Sequence, residues 1–313
     1  MEPRKIIQFG NSSYVITLQQ DWMKENNLDK GDKLNVTESG ETLILSVANK
    51  EKTQKMAEIS FDDIPLKLFN KELISYYLKN FKYIKIKSEN AIEKLEQIRV
   101  LKDKLSSVEI TEITEDYIML KDLTSPEELD VKKLTIEIVN MGKILFTELK
   151  KSTEGKSKYF LITNLDKNIN KLTFLAYKAI NYNLDVWKNP AEVKDTHHLR
   201  MIISSLEAIG DIVKRIARYL KDDDETSKKF YRILDEIENY YDFVTGLIDP
   251  EIDLDENLKA YLDKKQSLLK SIDFAREDFN DNLNLYLVVS QLLKDILGKV
   301  DSLLLAVIDL KCK

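Results

Sequence analysis

From about Val131 to Leu310, apolar residues recur every three or four positions. One segment places them at Ile162, Leu165, Ile169, Leu172, Ala176 and Ala179, and the next at Leu199, Ile202, Leu206, Ile209, Val213, Ile216 and Leu220. A third runs through Phe230, Leu234, Ile237, Tyr241 and Val244. This spacing lays one apolar seam along an α-helix and does not match the two-residue period of a strand. Six long helices are predicted, at about 131–152, 156–184, 195–221, 226–248, 254–278 and 282–310. The breaks, at Gly155, Pro190, Asp222 to Asp224, Pro250 and Asn280 to Asn282, are short, which favours antiparallel neighbours. Two tandem three-helix bundles are expected, at 131–222 and 226–311. Matching acids support a duplication: Asp166 and Asp263 late in each middle helix, and Glu207 with Gly210 or Asp295 with Gly298 in each third helix.

The first 125 residues read differently. Over residues 1–48, "RKIIQFG", "SYVITL", "KLNVTES" and "ETLILSV" are rich in β-branched and aromatic residues, with Ser39-Gly40 suited to a hairpin turn and a short helix in "QQDWMKENNL". Fewer than fifty residues form a marginal core, so this piece is expected to need a partner chain. Residues 50–125 are expected to be an α/β connecting domain. It holds a helix from Lys67 to Asn80, the strand "YIKIK", a charged helix from Asn90 to Leu105, and the strands "VEITEI" and "YIMLKDL". The predicted class is thus a mainly α, multidomain chain with a small β-rich N-terminal domain.

Composition removes several functions. The longest apolar run, Leu303 to Ile308, is too short to span a bilayer, and Arg4 and Lys5 lead into a strand pattern rather than a signal-peptide core. A cytoplasmic protein without membrane insertion is expected. The one cysteine, Cys312, allows neither an internal disulfide nor a cysteine-based zinc site. A formal charge of −6 argues against a globally basic nucleic-acid binder, while leaving room for a local one.

Catalytic signatures are missing. "EGKS" at Glu154 to Ser157 ends like a phosphate-binding loop, but Lys150 stands where the first glycine is needed. No GxSxG, HExxH or CxxC occurs, and neither histidine lies three residues after a glutamate, as a carboxylate di-iron bundle requires. His197 and His198 follow a candidate N-cap at Asp195 and read as first-turn surface residues, with metal ligation or pH sensing as the alternative. No enzymatic activity is expected.

"SSLEAIGDIVKRIARYL", Ser204 to Leu220, contains an apparent defect. Glu207 and Asp211 repel each other one turn apart, and Gly210 costs about 1 kcal/mol relative to alanine inside a helix. With Leu206 and Ile209 in the seam, both acids are expected on the exposed face. They are either a solvated face or half of an oxygen-ligand cation site shared with a neighbouring helix.

These residues also resemble the LERIGDxAxNIAE stretch of PhoU-type phosphate regulators, at Leu206, Glu207, Ile209, Gly210, Asp211, Ile216 and Ala217. "LDKNINKL" in the preceding helix is similar to that family's DxxxD, with Asn170 in place of the second acid. The resemblance covers about 131–310 and implies a regulator of phosphate uptake that works with transporter components. It also implies a divalent or iron-type metal held by Asp166, Asn170, Glu207 and Asp211, with Gly210 permitting close helix approach. The second bundle departs from the pattern, pairing Asp263 with Ser267 and Asp295 with Lys299.

The N-terminal stretch, Arg4 to Val36, resembles the AbrB or SpoVT swapped-hairpin fold in its R-x-I-x-x-x-G-x-S start, its I-T-L, its short helix carrying Trp22, and Gly31-Asp32. That resemblance implies a homodimer that grips operator DNA, here through Arg4, Lys5, Asn11, Ser12, Ser13 and Lys24. The charge works against it, because five basic and seven acidic residues over 1–48 give −2. The combined expectation is a cytoplasmic, dimeric, DNA-binding regulator of phosphate uptake. The alternative is an adaptor that dimerises through its N-terminal domain and docks its bundles on a transporter or signalling protein.

Overall fold

A computed structural model describes residues 3–39, 41–48, 55–152, 158–185, 190–220, 228–249 and 251–311. The chain is mainly helical, with a small β-rich N-terminal region, and divides into two compact units, Met1–Thr53 and Gln54–Lys313.

The first unit contains two separate antiparallel pairs, β1 (Ile7–Phe9) with β2 (Ser13–Val15) and β3 (Leu34–Ser39) with β4 (Thr42–Val47), and the helix α1 (Gln20–Glu25). Gly10 turns the first hairpin at φ +70°, a conformation most side chains avoid. Gly40, expected in the second turn, lies outside the described residues. No described residue of this unit before residue 49 is buried.

The second unit opens with a four-stranded sheet in the order β5 (Met56–Ser60), β6 (Tyr83–Lys87), β8 (Tyr117–Asp122), β7 (Val108–Ile113). β5 and β6 are parallel, which requires a crossover, and α2 (Leu66–Leu78) supplies it. β5 was not expected, because "MAEIS" is too short and too polar to stand out. α2 and α3 (Ala91–Lys102) pack on one face of the sheet, where Phe69, Leu73, Ile98, Ile86, Ile118 and Leu120 form a core of their own.

The described residues then form the long helices α4 (Val131–Ser152), α5 (Tyr159–Asp185), α6 (Pro190–Leu220), α7 (Tyr231–Gly246), α8 (Asp255–Phe274) and α9 (Leu283–Lys311), with a 3₁₀ segment at Ala275–Asn282 before the last. Asp130 starts α4 by accepting the Lys132 and Lys133 amides at 2.9 and 3.2 Å. α4, α5 and α6 pack on one another, as do α7, α8 and α9. The two trios join along α6–α9 and α4–α7 and share one continuous apolar core.

The start of α6 corrects one expectation. Pro190 was read as a break, yet it is the first residue of the helix, where its missing N–H costs nothing. The histidines therefore lie two turns inside. His197 is exposed as expected, but His198 is buried, and neither of its ring nitrogens finds a partner among the described residues.

The C-terminal end of α2 and strand β8 are fastened to α5 by polar contacts. Asn181 donates to the Leu78 carbonyl at 2.8 Å, and Asn80 donates to the Lys178 carbonyl at 3.3 Å. Lys178 is wholly buried, with its ammonium against Asp122 and 4.2 Å from the centre of the Tyr77 ring. Burial, with Lys82 nearby, pulls the Lys178 pKa down to about 7, and the Asp122 carboxylate in contact with it opposes that loss.

Candidate functional site

α5 and α6 run antiparallel, so a side chain on one meets a fixed rung on the other. Arg218 donates to Tyr159 at 3.2 Å, Lys214 to Asp166 at 2.6 Å, and Arg200 to Asn181 at 3.4 Å. Asp166 thereby comes opposite the acids of α6. It is buried, Glu207 and Asn170 are half-buried, and the Asp211 side chain is about half exposed.

Glu207 therefore does not lie outside the core. A single apolar seam predicts one covered face, but α6 packs on α4, α5 and α9 together, and the flank carrying Glu207 is partly covered as well. Burial raises the pKa of Glu207, and the Asp211 and Asp166 charges raise it further; Lys214 and Lys299 oppose them. Burial also raises Asp166, against the Lys214 ammonium.

Repulsion among these acids is relieved from within the chain. Lys214 lies between Asp166 and Asp211, 2.6 Å from a carboxylate oxygen of each. Burial works against its charge, but the two hydrogen bonds hold its pKa above the ordinary lysine value. Lys214 is the residue that sequence reasoning missed. The signal was present as a lysine three residues after Asp211, and it needed Asp166 across the groove to become meaningful.

As arranged, the residues do not fit a bound metal. Among the described residues no three His, Cys, Asp or Glu side chains converge on one point, and an ammonium stands between Asp166 and Asp211 where a cation would bridge them. Gly210 is not a close-approach device either. A Cβ there would meet Ile169 at 3.5 Å and Leu145 at 3.6 Å, which are ordinary contacts. In the second trio Asp263 and Asp295 are exposed, and Asp295 accepts from Gln291 at 2.9 Å. Asp301, by contrast, is contacted by both Tyr261 and Lys265.

The N-terminal candidates fall at two places. Asn11, Ser12 and Ser13 are exposed around the β1–β2 turn, whereas Arg4 and Lys5 precede the open end of that hairpin. At about 3.3 Å per residue the two groups are on the order of 15 Å apart. Arg4 instead lines a cleft of about 350 Å³ with Trp22, Leu43 and Leu45, and Lys24 is exposed on α1. Comparison with family models, with curated proteins and with solved structures finds no match.

Proposed function

We propose that the chain is a dimeric, non-enzymatic regulator of phosphate uptake of the PhoU kind, whose N-terminal unit pairs two copies and binds operator DNA. The observation that carries this reading is that none of the described residues of that unit is buried. Ile6, Phe9 and Tyr14 are 70% exposed or more, and Val36 and Leu43 more than 60%. A strand-rich unit with its apolar side chains uncovered needs a second copy, as an interlocked hairpin fold provides.

The paired helix trios and the Asp166, Glu207 and Asp211 groove support a sensing role for the second unit. Binding a transporter component there would change the geometry of the paired N-terminal arms, which is a coupling between two sites. In the second reading the chain is an adaptor that dimerises without touching DNA. The −2 balance of residues 1–48 favours it, since affinity for DNA comes largely from neutralising phosphates.

Fluorescence anisotropy with genomic duplex fragments, comparing wild type with Arg4→Ala/Lys5→Ala, separates the two. The regulator shows sequence-selective binding that weakens with salt and in the variant. Weak binding indifferent to sequence refutes operator recognition and leaves the adaptor.

A further inference from the structure

The four-stranded sheet has a second face. Strand alternation and register place Ile84, Ile86, Ile118 and Leu120 against α2 and α3, so the intervening residues share the opposite face. On the two central strands these are Tyr83, Lys85 and Lys87 of β6, paired with Lys121, Met119 and Tyr117 of β8. α2 and α3 lie on the other side; on this face Lys87 is exposed and Tyr83, Lys85, Tyr117, Met119 and Lys121 are partly exposed.

The composition of this face is specific. Its central strands carry three cations, two tyrosines, a methionine and no acid. Lys85 lies over the Tyr117 ring at 3.9 Å, and Lys121 lies 5.7 Å from the Tyr83 ring centre. The acids of this face lie on the edge strands and are engaged: Glu58 with Lys87 at 2.5 Å, Glu109 with Lys102 at 3.3 Å, and Glu112 with the Tyr117 hydroxyl at 2.6 Å. The last contact holds the Tyr117 ring from its edge, with the Lys85 ammonium over its face.

We propose that this face binds single-stranded nucleic acid. Tyr83 and Tyr117 stack two bases, about 13 Å apart along the strands, and Lys85, Lys87 and Lys121 meet the phosphates between and beside them. The ammonium groups now resting on the rings move to phosphate oxygens as bases take their places. Duplex DNA does not fit, because its bases are stacked on each other and present no free ring face to a flat sheet. The proposal is independent of the operator reading, which concerns duplex DNA and the N-terminal unit.

The test is anisotropy of labelled oligouridine and oligothymidine strands with the full chain, over a salt series. Wild type binds, and Tyr83→Ala/Tyr117→Ala weakens binding at least tenfold, as loss of stacking implies. Tyr83→Phe/Tyr117→Phe, which keeps both rings and the packing, retains it. Lys85→Gln/Lys121→Gln reduces the salt slope by about 1.4, at about 0.7 per phosphate contact. Arg4→Ala/Lys5→Ala leaves single-strand binding unchanged. The RNA and DNA arms show which strand is the ligand. Absence of binding at low salt overturns the proposal, as does binding that survives Tyr83→Ala/Tyr117→Ala or is lost in Arg4→Ala/Lys5→Ala.

Discussion

Tyr241 of α7 fills the space that a side chain on Gly142 of α4 would need. A Cβ at Gly142 would lie 2.2 Å from the tyrosine oxygen and 2.8 Å from its ring, and that hydroxyl donates to the Val139 carbonyl at 3.2 Å. The two trios meet here. Tyr241 is 1% exposed and cannot retreat.

Gly142→Ala is therefore expected to destabilise the protein by about 1–3 kcal/mol through overpacking. Gly210→Ala meets only ordinary contacts and gains helix propensity, so it is expected to stabilise by up to about 1 kcal/mol. Urea-denaturation midpoints check the opposite signs; equal effects from the two would refute the packing argument.

Removing the ammonium between Asp166 and Asp211 is expected to open a place for a cation between the two carboxylates. Lys214→Ala should lose about 1–3 kcal/mol, because Asp166 stays buried without its donor. Divalent cations should then raise its melting temperature and leave that of the wild type unchanged. A thermal-shift titration decides, and a metal-dependent shift in the wild type would show that Lys214 yields to metal.

The raised pKa of Glu207 has a sign that can be measured. A carboxyl whose pKa is higher in the folded than in the unfolded state binds more protons when folded, so stability falls as pH rises above the ordinary glutamate value near 4.5. Glu207→Gln removes that penalty. The variant should be more stable than wild type at neutral pH, and the difference should close as pH drops below that value. A constant difference across the range would point to lost packing instead.

Lys178 and Asp122 are buried together between α5 and β8. Lys178→Met leaves a carboxylate without its cation and is expected to cost about 3–5 kcal/mol, whereas Lys178→Met/Asp122→Asn should recover most of it. The amide oxygen of the asparagine can still accept from the Thr124 N–H, now 2.8 Å from Asp122. Additive losses in the double-mutant cycle would mean that the pair is not coupled.

For the N-terminal unit, Phe9→Glu/Val36→Glu places charge on two of its most exposed apolar positions. If a second copy covers them, light scattering after size exclusion should show the dimer shifting to monomer, with the helical signal of the second unit unchanged. A wild type that is already monomeric would remove the premise.

Much of the helical architecture was legible because its cause is local. The 3,4 spacing through α5, α6 and α7 comes from residues a turn apart, and no distant partner is needed to read it. β6, β7 and β8 were visible for the same reason, in runs of alternating or β-branched residues. β5 was not, since a short edge strand such as Met56–Ser60 is specified by its parallel pairing with β6 and by little in its own residues. The acids Asp166, Glu207 and Asp211 were legible as residues, while their surroundings were not.

The sequence by itself determined most of the helices and three of the four strands of the sheet, and that residues 1–48 have only a marginal core, because periodicity and composition act within a few residues. Only the tertiary structure decided that Lys214 bridges Asp166 and Asp211, that Gly142 rather than Gly210 makes room for a neighbour, and that Tyr83 and Tyr117 share one sheet face with three lysines. Each of those depends on which element lies opposite, a relation between residues up to roughly a hundred positions apart that helix and strand periods do not encode.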